Sequence, residues 1–406
     1  MAPPTPTEHT KLFTPTTIGS TSPLAHRIAL APLTRFRASL SHVPSPHAAA
    51  YYAQRACVPG TLLIAEATYP SLRAAGYANV PGLYTAEQLA AWKEITDAVH
   101  ARGCRIWVQI WALGRVARPV GGEEAPNWDA GFDYERHLAS ASAVPAGEGY
   151  GMPREMGEEE IWGYVGDFAE AARNAVEVAG FDGVEVHGAH GYLVDQFTQD
   201  TCNRRTDAWG GSIEKRSRFG IEVCKAIAAA IGPDRLGIRL SPWNTVQGMR
   251  MQDPVPQFTH LIRELSALRL AYLHLVEPRV HGVLDKKPPP GENLDFALRA
   301  WGRDRPVLVA GGYTPELAVE AVEKTYKDYD VVVVFGRRFI STPDLVYRVK
   351  KGIEWAPYDR NSFYIDQRKV KDVAKGYVDY PFSKEFIAEY GSQDDTTAAA
   401  APTARL

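Results

Sequence analysis

Phe181-Asp182-Gly183-Val184-Glu185-Val186-His187-Gly188-Ala189-His190-Gly191-Tyr192 changes character half-way along. The first half is short and mostly apolar, as expected of a strand buried in a sheet. The second half delivers two imidazoles and a phenol to the end of that strand, and its interspersed glycines favour a loop over a helix face. Imidazole and phenol can bind a polarised oxygen and move a proton, so the junction reads as the working edge of an enzyme.

The same alternation repeats on both sides of this stretch. Upstream, residues 28–33, 61–65 and 105–111 read as apolar strands; downstream, so do 236–240, 271–276, 306–310 and 330–335. Helical spacing fills the gaps. Residues 85–102 start on a Thr cap and put Leu89, Trp92 and Val99 on one face, while 158–180 carry Ile161, Val165, Phe168, Ala172 and Ala175. Further helices are expected over 217–230, 257–268 and 314–326. Eight apolar strands separated mainly by helices predict an α/β fold, a (β/α)8 TIM barrel whose strand ends build the active site. A doubly wound open sheet is the competing arrangement. Closure is favoured because polar residues recur after several different strands and no early GxGxxG opens a βαβ unit. Residues 112–157, rich in Gly and Pro, read as a long loop excursion, and the Asp, Thr and Ala-rich tail 391–406 as mobile.

Composition narrows the function classes. Forty-five Lys and Arg against forty-eight Asp and Glu give a net charge of -3, so neither nucleic acid nor a membrane surface is an expected partner. Cys57, Cys104, Cys202 and Cys224 form no CxxC pair, and the N-terminus lacks a basic segment followed by an apolar run. A reduced, cytoplasmic enzyme, monomer or homodimer, is the expectation. The alternative is the peroxisomal matrix, because Ala404-Arg405-Leu406 follows the small-basic-leucine order of the Ser-Lys-Leu address.

Several other residues carry candidate chemistry. In Pro32-Leu33-Thr34-Arg35, after the first strand, Thr34 can donate to a cofactor oxygen and Arg35 can offset a negative charge; capping or loop fixing is the bland reading. Gln109, in an apolar run, has donors and an acceptor for an amide-bearing ring, or else for the backbone. Arg239 lies within a strand, where a cation needs an internal carboxylate or an anionic ligand. Gly311-Gly312 and Gly336-Arg337 follow the last two strands, where close backbone amides plus an arginine make a phosphate cup. Zinc held by His187 and His190 with Asp195 or Cys202 is a weaker reading, since the spacing matches no metal motif.

The ordered pattern resembles the old yellow enzyme family over about residues 11–370, leaving 371–406 as a C-terminal extension. The matching runs are Ala31-Pro32-Leu33-Thr34-Arg35, Gln109-Ile110-Trp111-Ala112-Leu113-Gly114-Arg115, His187-Gly188-Ala189-His190-Gly191-Tyr192-Leu193 and Arg204-Arg205-Thr206-Asp207-Ala208-Trp209-Gly210-Gly211-Ser212. They continue through His274-Leu275-Val276-Glu277-Pro278-Arg279, Gly311-Gly312, Phe335-Gly336-Arg337 and Tyr358-Asp359-Arg360-Asn361-Ser362-Phe363-Tyr364. The resemblance implies a barrel binding FMN without a covalent bond, reduced by NADPH or alternatively NADH, and reducing the activated C=C bond of an α,β-unsaturated carbonyl compound. It implies that Pro32, Leu33, Thr34, Ala67, Gln109, Arg239, Gly311, Gly312, Phe335, Gly336 and Arg337 surround the flavin, with Thr34 also tuning its reduction. Ala67 stands where many members have glycine. His187 and His190 match the pair that holds the carbonyl oxygen, and Tyr192 the proton donor to the alkene carbon. A specialised-metabolism enzyme performing alkene isomerisation, desaturation or reduction coupled to cyclisation is the alternative that the same residues allow.

Overall fold

The computed structural model describes residues 7, 9–118, 121–125, 127–281, 284–285 and 288–391. Eight parallel strands close into a barrel: β1 (Ile28–Leu30), β2 (Leu62–Thr68), β3 (Arg105–Ile110), β4 (Gly183–Gly188), β5 (Leu236–Leu240), β6 (Tyr272–Val276), β7 (Val307–Ala310) and β8 (Val331–Phe335). Each pairs with its neighbour in chain order, and Phe335 of β8 pairs with Leu30 of β1 to complete the ring. All eight are strands read from the sequence, and the closure rules out the open sheet.

Period-two alternation explains why these segments form a barrel. Outward residues such as Val184, Val186, Ile238, Leu240, Val331 and Val333 join the surrounding helices in one large core. Inward residues Ala29, Leu62, Ile64, Trp107, Tyr272, Leu308 and Val332 fill a separate cluster inside the ring. A short hairpin, Thr16–Ile18 against Ser22–Leu24, closes the floor: Ile18 and Leu24 enter the inner cluster, and Trp107 Nε1 donates to Ser22 Oγ at 3.2 Å. Toward the other end of the barrel the inward positions turn polar, with Gln109, Glu185, His187, Arg239 and His274 following the apolar floor.

The outer helices include α1 (Ala48–Arg55), α2 (Ala86–His100), α3 (Glu158–Arg173), α4 (Leu193–Thr198) and α5 (Ile213–Ile231). Thr85 and Gln88 form a reciprocal capping box at the start of α2. The expected helix over 158–180 changes pitch after Arg173 into the wide turn Asn174–Val178, and that over 314–326 does so after Glu320. The 112–157 excursion holds a one-turn helix, Tyr134–His137, and a small ladder between Ala139–Ser140 and Arg154–Glu155. It folds over the barrel mouth, where Phe132, Leu138 and Ala146 share a cluster with Ala67 and Trp111.

Packing onto the barrel continues past residue 370, for Tyr377 is fully buried and stacks on Tyr51 of α1 at 4.2 Å. Residues 404–406, the candidate address, and most of the tail read as mobile lie outside the described residues. Among the described residues no helix is long and apolar enough to cross a membrane.

Candidate active site

Seven of the eight strands bring a predicted residue to the same end of the barrel. Thr34 follows β1, Ala67 sits near the end of β2, Gln109 lies on β3 and His187 on β4. Arg239 is on β5, Gly311 and Gly312 follow β7, and Gly336 and Arg337 follow β8. In register, His187 pairs with Arg239, Arg239 pairs with His274, and Gln109 pairs with Glu185. The barrel mouth therefore gathers side chains separated by three hundred residues of sequence.

The β4 exit is the most tightly specified part. The rings of His187 and Tyr192 lie 4.7 Å apart between centroids, those of His187 and His190 5.7 Å, and Trp111 packs 4.4 Å from Tyr192 and 5.9 Å from His187. His190 adopts a left-handed backbone, φ 56°, and its N–H donates to Ser241 Oγ at 2.8 Å. From α4, Asp195 accepts the Gly191 N–H at 2.9 Å and Gln196 donates to Gly191 O at 2.7 Å. The Gln247 amide, in the orientation that satisfies it, donates to His190 O at 2.9 Å and Gly191 O at 3.3 Å. Asp195 is thus committed to the loop, and Cys202 lies beside Ser140 Oγ at 3.4 Å. Among the described residues no cluster of His, Cys, Asp or Glu is arranged to hold a metal ion.

Protonation states follow from this packing. The Ala189 N–H donates to His187 Nδ1 at 3.3 Å, which leaves the proton of the neutral ring on Nε2. Burial, reinforced by Arg239 and His274, pushes both His187 and His190 well below the ordinary histidine value. Both are therefore neutral hydrogen-bond donors at neutral pH. Burial raises the Tyr192 hydroxyl above its ordinary value, keeping the phenol protonated.

The inner wall holds a second polar group that the apolar reading of β4 does not single out. Glu185 is fully buried and accepts from Gln109 Nε2 at 2.6 Å, His274 Nδ1 at 2.7 Å and Tyr272 OH at 3.1 Å. Its position was legible in principle, since Glu185 and His187 are two apart on one strand and face the same side. Burial lowers the Arg239 pKa, Glu185 opposes that shift, and Arg239 Nε has no hydrogen-bond partner among the described residues.

The other predicted residues divide between the mouth and its supports. Pro32 is buried, and Leu33 lies beside Gly336, where an added Cβ would stand 3.4 Å from Leu33 Cδ2. Arg35 turns away, donating to Ser362 O at 3.3 Å and Gly376 O at 2.7 Å, and so ties the C-terminal segment to the mouth. Ala67 lies within a register shift of β2, against Trp111. Gly311 has φ 150°, and a Cβ there would come 2.6 Å from Glu277 Cβ. Gly312 has φ 58°. The Phe335 ring lies in the outer core, near Trp355 at 5.8 Å. The orphaned Arg239 Nε, the Thr34 hydroxyl and Gln109 carbonyl without partners among the described residues, and the glycine turns suit a polar-edged ring with an anionic tail. FMN has that chemistry.

A family model described as NADH:flavin oxidoreductase / NADH oxidase matches residues 11–355. The chain belongs to this family, the old yellow enzyme-like flavoproteins. Among its relatives is the chanoclavine-I aldehyde reductase fgaOx3 of Penicillium roqueforti (strain FM164), 55% identical over 377 residues, covering 93% of this chain and 98% of the relative. The NADP-dependent oxidoreductase lnbE of Aspergillus flavus is 54% identical over 384 residues, covering 93% and 97%. A third, named "Probable inactive reductase easA", from Epichloe festucae var. lolii, is 49% identical over 388 residues, covering 94% and 98%. This old yellow enzyme-like chain is an NAD(P)H-using oxidoreductase of an FMN-linked family acting on a small molecule.

Proposed function

We propose that this protein reduces the C=C bond of an α,β-unsaturated aldehyde or related carbonyl compound of specialised metabolism, with FMN as cofactor and NADPH as reductant. One observation carries the reading: two neutral imidazoles and a protonated phenol converge at the exit of β4, with His187 and Tyr192 centroids 4.7 Å apart. A relative named as an aldehyde reductase favours an enal over a simple enone, and one named as NADP-dependent favours NADPH.

The roles follow from the donor inventory. FMN, when bound, would supply the hydride chemistry that links NADPH to the substrate's β carbon. His187, through Nε2–H, and His190 donate to the carbonyl oxygen, drawing electrons from the alkene and stabilising the charge that develops on that oxygen. Tyr192 gives its proton to the α carbon. Thr34 and Gln109 would hold the ring edge, Arg239 would offset its charge, and Gly311, Gly312, Gly336 and Arg337 would receive the phosphate.

Alkene isomerisation, desaturation or reduction coupled to cyclisation is the second reading, and a relative named as a probable inactive reductase gives it weight. Tyr192, a phenol in place beside the histidine pair, favours net reduction. Anaerobic mixing of the NADPH-reduced holoenzyme with cinnamaldehyde and with cyclohexenone tests the proposal. Reoxidation by the enal with formation of the saturated aldehyde is expected. Flavin that NADPH reduces but neither compound reoxidises would contradict it, and a rearranged alkene without reoxidation would favour isomerisation.

A further inference from the structure

We propose that Glu185 is a positioning residue for the flavin, one that fixes the Gln109 carboxamide with its carbonyl oxygen free for the ring and restrains the reduction potential by offsetting Arg239. The inference rests on the FMN reading above and extends it to a residue inside the barrel wall.

The geometry is specific. The Glu185 carboxylate spans four neighbouring strands, taking Gln109 Nε2 from β3 at 2.6 Å and, across β5, Tyr272 OH at 3.1 Å and His274 Nδ1 at 2.7 Å from β6. That reach requires Gly237 on β5, because a Cβ there would lie 2.3 Å from Tyr272 Cζ. The two ends of a glutamine amide have nearly the same shape, so a site that needs one orientation must impose it chemically. An ionised carboxylate only accepts, so the Gln109 nitrogen must face it and the Gln109 oxygen must face away.

Charge adds a second effect. Burial pushes the Glu185 carboxyl upward, but His274, Arg239 and Gln109 outweigh it and hold the group below its ordinary value, hence ionised. An apolar side chain in the wall would avoid the cost of burying a carboxylate and its partners. Glu185 pairs in register with Gly237, and Arg239 lies two residues further along β5 on the same face. Removing only the negative charge would therefore leave Arg239 uncompensated in the wall that would hold the ring, favouring electron uptake.

The experiment measures FMN affinity and the two-electron potential of the bound flavin in wild type, Glu185→Gln, Glu185→Ala, Gln109→Ala and the double alanine variant. In Glu185→Gln the potential is expected to rise by about 30 mV, a tenfold change in the reduction equilibrium. In Glu185→Ala the affinity is expected to fall, with no further fall when Gln109 is already alanine. An unmoved potential in Glu185→Gln, or affinity losses that multiply in the double variant, would overturn the inference. If Glu185→Ala does not fold, the nearly isosteric Glu185→Gln carries the test alone through its potential. Wild type that binds no FMN would overturn the flavin reading and this inference together; FMN binding with an unmoved potential in the variant overturns the inference only.

Discussion

At the residue scale the site depends on which atoms carry protons. His187 donates through Nε2 because its Nδ1 is occupied by the Ala189 N–H at 3.3 Å, and burial keeps both histidines neutral. Their folded values lie below the ordinary one, so the charged forms are minor throughout the neutral range. The rate of substrate reduction should show no histidine inflection between about pH 6 and pH 8. An inflection in that range that disappears in His190→Asn would contradict the assignment; the pH dependence of the reoxidation step measures it. His187, His190 and Tyr192 are legible in the sequence because they stand together after one strand. Glu185 is harder to read, because a carboxylate inside an apolar run is explained only when Gln109, Tyr272 and His274 arrive from other strands.

At the element scale, β5 shows how a missing side chain builds a site. Gly237 leaves room for the Tyr272 ring, and Gly237→Ala forces an overlap with that ring. A loss of about 1–3 kcal/mol in unfolding free energy is expected from such overpacking, read by denaturant titration. Unchanged stability would mean that Tyr272 can move without cost. The cap of α2 is a second handle: Thr85→Ala removes the acceptor for the Gln88 N–H and should cost about 1 kcal/mol in the same assay, or the cap contributes nothing. The barrel strands are legible because they are buried on both faces and so nearly uniformly apolar. Helix α1 is not, for its eight residues offer only two turns of periodicity. The excursion is also opaque, since Arg115 binds Gln247 O at 2.8 Å through a contact that no local pattern reveals.

At the scale of the whole molecule, the barrel has an apolar floor and a polar mouth, and both contain groups that titrate. Near the floor His26 accepts the Ile28 N–H on Nδ1 at 3.2 Å and reaches Thr61 Oγ1 with Nε2 at 3.0 Å, so the ring fits only when neutral. Burial lowers its pKa from 6.5 to about 3. Between those values the unfolded chain binds the extra proton and the folded chain does not. This contribution is therefore present above 6.5 and lost as the pH falls toward 3, at about 1.4 kcal/mol per pH unit. Denaturant titrations at neutral and acidic pH should show that slope reduced in His26→Asn; an equal slope in both proteins would contradict it. The holoenzyme is tested most directly by separating its two half-reactions in Tyr192→Phe. Reduction of bound flavin by NADPH should stay near the wild-type rate, while reoxidation by an enal should slow by about 100-fold or more. Equal slowing of both steps, or unimpaired reoxidation, would contradict the role of Tyr192 as the proton donor.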